Sequence, residues 1–258
     1  MKKFIAILLA VLMLFSFAAC ADKSEGNKPD SSAEETEILE AFYSEYYEGE
    51  KSGKLIRDFD GDGITDMVAV TGDFYENGYF KDINVRYVKI NEDSAREIDL
   101  LKIERPEKEY SDEDVTCSYS EDIEFYANDE DYIMFNILSR YEGVSADYRL
   151  LKVSADSIEI EKHLYDPGYS SGLGLYFYED YPENYDTNAL FDQEVSYKFG
   201  KYDSYKEAIE TELGVYGFKW KLWDGTDPDD FVTEKYVVDP IEGAHLIFKN
   251  HNEAEPMY

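Results

Sequence analysis

The sequence predicts a mainly β fold of the α+β class, an antiparallel meander with a helix near each end of its folded part. Three observations carry that expectation. Short runs that alternate apolar and polar residues, each bounded by turn residues, recur from Leu55 to Lys249, which is how half-buried antiparallel strands read. Two Ser-x-x-Glu signatures, Ser32 to Glu35 and Ser204 to Glu207, each open a segment with apolar residues at helical spacing. Finally, 43% hydrophobic and 16% aromatic residues, with 24 Tyr and 15 Phe, supply more apolar surface than a disordered polyanion carries, although the net charge is -33. A length of 258 residues suits one large domain or two small ones.

In chain order, Met1-Lys2-Lys3 is a short positive region and Phe4 to Phe17 an uninterrupted apolar run. That run is too short and wrongly flanked for a stable spanning helix. Ala18 and Ala19 then precede Cys20, and a polar stretch follows from Ala21 to Asp30. Phe17-Ala18-Ala19-Cys20 resembles the lipobox of bacterial lipoproteins, with Phe17 where that family places Leu or another aliphatic residue. The resemblance implies that the Cys20 thiol receives a diacylglyceryl group and that residues 1–19 are cut away as a signal peptide. The lipid then anchors the mature chain outside the cytoplasmic membrane. The alternative is an ordinary secretory signal with an incidental cysteine. Cleavage would remove two lysines and no acid, making the mature chain more negative still. The other cysteine, Cys117, lies in the alternating run Val115 to Tyr119 and reads as a small packed side chain, so no disulfide framework accompanies the extracytoplasmic address.

Residues 20–37 read as the lipidated cysteine and a flexible tether, and residues 38–258 as a β-rich extracellular domain. A helix opened by Ser32 runs to about Tyr47 and stops at Gly49, with Ile38, Leu39, Phe42 and Tyr46 on its packed face. Strands are expected over Leu55 to Phe59, Met67 to Thr71, Phe80 to Ile90 and Arg96 to Ile103, the last two joined by Asn91-Glu92-Asp93-Ser94. A further series covers Tyr132 to Arg140, Asp147 to Val153 and Ser157 to Leu164. A helix opened by Ser204 ends before Gly214, and Tyr216 to Trp223 and His245 to Lys249 read as late strands.

The acidic stretch Asp58-Phe59-Asp60-Gly61-Asp62-Gly63-Ile64-Thr65-Asp66 carries the most specific chemistry. Carboxylates at positions 1, 3, 5 and 9 leave position 7, Ile64, to offer a carbonyl. Calcium takes six to eight oxygens at about 2.3–2.6 Å, and a tightly coiled loop of this kind supplies them; magnesium prefers a small octahedron with retained waters. Gly61 and Gly63 permit the backbone angles such a coil needs. Position 12 of an EF-hand needs a bidentate Glu, but here it is Ala69, followed by a strand pattern and not a helix. Leu55 to Val70 resembles the FG-GAP or VCBS repeat of integrin-like propellers and secreted bacterial proteins. The resemblance implies a β-hairpin, of the propeller-blade kind, whose Asp58, Asp60, Asp62 and Asp66 bind Ca2+. No second copy of the motif occurs, whereas a propeller repeats it blade by blade. Asp224 to Asp230 is acidic but lacks the Gly-Asp-Gly core and reads as a solvated turn.

Two further features bear on function. Tyr169, Tyr176, Tyr178 and Tyr181 lie in a glycine-interrupted segment that either presents rings for stacking on sugars or peptides, or fills the core beneath an irregular connection. His163, His245 and His251 show no metal-ligand spacing, and neither a nucleophile elbow nor a phosphate loop nor a dinucleotide fingerprint is present. The strong negative charge excludes nucleic acid and anionic headgroups as binding partners. The expectation is a lipid-anchored module holding structural Ca2+ and binding an extracellular glycan, peptide or envelope protein. A Ca2+-dependent hydrolase acting on glycans is the alternative.

Overall fold

Alternation of apolar and polar residues builds two antiparallel sheets packed face to face. The computed structural model describes residues 31–75, 80–104, 120–140, 144–166, 176–177, 204–225 and 234–252. The signal segment, Cys20, Cys117, Tyr169, Tyr178 and Tyr181 lie outside the described residues, as does the side chain of Tyr176. The first sheet runs in the order β1 (Ser52–Arg57), β2 (Asp66–Phe74), β3 (Phe80–Asn91), β4 (Ser94–Glu104). In the second, β5 (Ser120–Ala127), β6 (Tyr132–Arg140), β7 (Val144–Val153), β8 (Ile158–Asp166) and β9 (Tyr176–Phe177) form a meander. A late strand, β12 (His245–Asn252), returns to pair with β5 at its edge. A two-stranded ribbon, β10 (Trp220–Leu222) with β11 (Tyr236–Val238), completes the strands. Two helices, α1 (Ser31–Tyr46) and α2 (Tyr205–Glu212), flank them, so the chain is mainly β in an antiparallel α+β arrangement.

The core between the sheets joins Val68, Val70, Val85 and Tyr87 of the first to Ile123, Phe125, Phe135 and Leu151 of the second. The rings of Phe125 and Phe135 stack at 4.4 Å, and each such buried side chain contributes about 1.5–3 kcal/mol. On the outer face of the first sheet, Leu39 and Tyr43 of α1, four residues apart and so on one helical face, cover Met67, Ala69 and Val88. On the outer face of the second, Ile209, Leu213, Trp220 and Val238 cover Met134, Tyr148 and Leu164. The edges of the sheets also meet. A Cβ on Gly53 of β1 would lie 1.9 Å from the Ile247 carbonyl oxygen of β12, so this approach requires glycine. At the opposite edge Ile158 donates its amide to Asp99 Oδ2 at 2.9 Å.

Several expectations change at particular residues. Tyr46, expected on the packed face of α1, is 61% exposed, and Tyr43 is buried instead, donating its hydroxyl to Ser52 Oγ at 2.8 Å. The helix starts at Ser31, within the stretch read as tether and one residue before the expected cap. At α2 the expected Ser204 cap forms, its Oγ accepting from the Glu207 amide at 3.1 Å. Tyr216 belongs to a 3-10 turn, Gly214–Tyr216, and not to a strand. His251 lies in β12, beyond the expected end of that strand at Lys249, with Nδ1 donating to Asp122 Oδ1. Strand β5 has no counterpart in the expectation, because its acids are buried: Glu121, Asp122 and Glu124 all lie inside.

Candidate functional site

The β1–β2 connection is the acidic loop, and Arg57 and Asp66 form the last pair of the ladder beneath it. Its coil follows from local hydrogen bonds between carboxylates and the amides that succeed them. Asp58 Oδ1 accepts from Gly61 N at 2.8 Å and Asp58 Oδ2 from Gly63 N at 2.9 Å. Asp60 Oδ1 accepts from Asp62 N at 3.2 Å, and Asp62 Oδ1 from Ile64 N at 2.8 Å. Gly61 and Gly63 stand at φ 74° and 87°, the left-handed region that side chains resist. The loop is anchored at both shoulders. Phe59 inserts into the core with the Arg57 guanidinium over its ring at 4.4 Å, and Arg57 donates to the carbonyls of Asn128 and Glu130 in the β5–β6 turn. On the other side the Thr65 amide donates to Glu35 Oε2 of α1 at 2.9 Å.

These constraints gather oxygens from Asp58, Asp60 and Asp66 within 4.8 Å of one another. Asp62, the fourth predicted carboxylate, is more exposed and points to Lys89 instead, and the Ile64 side chain faces solvent. Asp66 sits at the floor, fully buried. Its Oδ2 accepts from Tyr87 Oη at 2.8 Å and from the Phe59 amide at 3.2 Å, whereas its Oδ1 has no hydrogen-bond donor. Burial pushes the Asp66 carboxyl up to about 6, against the pull of Tyr87, the Phe59 amide and Lys89, with Asp60 adding to the rise.

Lys89, on β3, is the cation of the site and was not singled out in the sequence. Its ammonium donates to Asp60 Oδ2 at 2.5 Å and to Asp62 Oδ2 at 2.9 Å, and lies 4.0 Å from Asp66 Oδ1. Burial works against that charge, but the hydrogen bonds to Asp60 and Asp62 outweigh it and hold Lys89 above its ordinary range. The Lys89 hydrogen bond, followed by the Ile64 amide, in turn holds Asp62 below the usual carboxylate range. Neither Lys89 nor Glu35 carries a local signal, since both reach the loop through tertiary packing from 20 or more residues away.

Buried carboxylates elsewhere are matched by donors. Asp147 receives Arg149 Nε at 3.0 Å, Arg149 Nη2 at 2.8 Å and His163 Nε2 at 2.8 Å. Asp166 receives Lys235 Nζ at 2.6 Å, and Glu124 receives Tyr126 Oη at 2.8 Å. Asp122 is bonded by Trp223 Nε1 and His251, and Glu121 by Ser139 Oγ at 3.1 Å and the Phe80 amide at 3.2 Å. The three histidines therefore serve three different aspartates, His245 pairing with Asp129 at 2.9 Å. Among the described residues, Asp66 Oδ1 is the one buried carboxylate oxygen left without a donor. A buried anion without a donor is costly, and a hard cation coordinated by oxygens is what would offset it.

Compared with protein-family models, with curated proteins and with solved structures, the chain matches none, and the resemblance of Leu55 to Val70 to the FG-GAP or VCBS repeat rests on those residues alone.

Proposed function

We propose that this protein is a lipid-anchored, extracytoplasmic binding module whose β1–β2 loop holds a structural Ca2+. The observation that carries the metal assignment is the buried Asp66, whose Oδ1 has no donor and whose carboxylate lies in one cluster with Asp58 and Asp60. The donor set fits the ion: hard oxygens only, in a coil whose backbone is already folded around them. The Ile64 carbonyl completes the set at position 7. Bound there, calcium ties β1 to β2, because Asp58 leads out of one strand and Asp66 opens the other. The lipobox-like Phe17 to Cys20 supports anchoring through Cys20, and two acyl chains hold a protein to a bilayer far better than one. A rigid two-sheet scaffold on a tether suits capture of an extracellular glycan, peptide or envelope protein. Nucleic acid remains excluded by charge.

Calorimetry of the full chain with and without millimolar calcium tests the metal assignment. A rise in melting temperature is expected, abolished in Asp60→Ala plus Asp62→Ala. The absence of any shift in the wild type overturns it. Metabolic labelling with an alkyne fatty acid tests the anchor, and label persisting in Cys20→Ser would refute lipidation at that residue.

A further inference from the structure

The carboxylates that a calcium ion would use are already neutralised in part by a cation of the chain itself. Lys89 Nζ has three donor directions and three acceptors: Asp60 Oδ2 at 2.5 Å, Asp62 Oδ2 at 2.9 Å and the Ala155 carbonyl at 3.4 Å. Its side chain is 16% exposed and rises from β3 beside Tyr87, whose ring lies 5.9 Å from the ammonium. Calcium binds carboxylate oxygens at about 2.3–2.6 Å, nearly the separation Lys89 already keeps from Asp60, so the ion and the ammonium compete for one volume. The ammonium is also an incomplete substitute. With its three donors spent, it leaves Asp66 Oδ1 without a hydrogen bond, and its one positive charge is shared among Asp60, Asp62 and Asp66.

We infer that Lys89 is a built-in counter-ion that a divalent cation must expel, so that loop occupancy is set by competition with the chain's own ammonium. The inference rests on the calcium reading of the loop and adds its regulation. Without the ion, Lys89 holds the acidic coil closed and links it to the β7–β8 turn through Ala155, joining the loop, the first sheet and the second sheet. With the ion, the carboxylates of Asp60 and Asp62 turn to the metal and the Lys89 side chain is released to solvent. Affinity for calcium is therefore lower than the carboxylates alone would give, and binding exchanges an inter-sheet contact for a loop contact.

Titration of the full chain with calcium chloride by calorimetry, compared with Lys89→Met, tests this. Lys89→Met is expected to bind at least tenfold more tightly, which is about 1.4 kcal/mol. If the wild type binds calcium and Lys89→Met binds no more tightly, the competition is overturned while the calcium site stands. Calcium binding by Lys89→Met alone supports the competition and refutes a calcium function in the native chain. If neither binds, the loop reading falls and the inference falls with it. Should Lys89→Met not fold, acylation of Lys89 in the wild type, followed by mass spectrometry, provides the second reading. Saturating calcium is expected to raise its reactivity several-fold, and unchanged reactivity in calcium-bound protein overturns the proposal.

Discussion

Two of the acidic centres among the described residues balance their charge in opposite ways. Within the second sheet, Asp147 is surrounded on its own face by Arg149 of the same strand and His163 of the next, which together supply donors to both of its oxygens. At the β1–β2 loop, Asp60, Asp62 and Asp66 share the ammonium of Lys89, Asp58 accepts from two loop amides, and Asp66 Oδ1 is left without a hydrogen-bond donor. The first centre is closed within the chain. The second is not, since Asp66 Oδ1 finds no hydrogen-bond donor. Burial by itself does not separate the two, since both carboxylates are mostly buried; the balance of donors against acceptors does.

The largest effect is expected where the balance is closed. Asp147→Ala strands a buried guanidinium and should cost about 3–5 kcal/mol in denaturant unfolding, with or without calcium. Burial tends to raise the Asp147 carboxyl, but Arg149 and His163 outweigh it and hold it well below the usual range. A depressed carboxyl stabilises fully above its unfolded value of about 3.9 and loses that contribution as pH falls through its folded one. An acid limb below about pH 4 is thus expected in urea titrations of the wild type, and Asp147→Asn should flatten it.

Next comes the open centre. At a hundredfold excess over its dissociation constant, calcium should add about 2.7 kcal/mol, which at about 2–4 °C per kcal/mol for a domain of this size is a rise of roughly 5–10 °C. Asp66→Asn sharpens the contrast, because it keeps an acceptor for Tyr87 and the Phe59 amide but removes the buried charge whose Oδ1 has no donor. The metal-free variant should be more stable than wild type by about 1–2 kcal/mol and should lose the calcium response. Loss of stability together with a retained calcium response would place the floor of the site elsewhere. The smallest effect belongs to Glu35→Ala, which frees the Thr65 amide to water and should cost about 0.5–1.5 kcal/mol, with a weaker calcium response, by the same calorimetry.

The strands that read correctly are written in apolar or alternating residues, whether one face is buried or, as in β6, both. Tyr132–Arg140 matches its expected bounds, and the β3–β4 hairpin turns at Glu92-Asp93, where Glu92 adopts φ 58°. Strand β5 was not legible, because one of its covered faces is polar, carrying Asp122 and Glu124 bonded to Trp223, His251 and Tyr126. In sequence such a strand looks like a solvated acidic turn. The two capping boxes make the same point. Ser204 Oγ caps its helix by accepting from the Glu207 amide, whereas Glu35 of the first box is drawn away to the Thr65 amide of the loop.

The sequence alone determined the antiparallel β class, the second helix with its cap, and a loop with alternating aspartates around two glycines. Each of these is written in residues that lie within a few positions of one another, where spacing and backbone preference suffice. Only the tertiary structure decided that Asp66 would be the buried floor, that Tyr43 and not Tyr46 would seat α1, and that Lys89 and Glu35 would reach the loop from β3 and α1. Those outcomes depend on which faces the packed layers bring together, and on how many donors each buried oxygen then finds. Such quantities do not exist until the sheets have met.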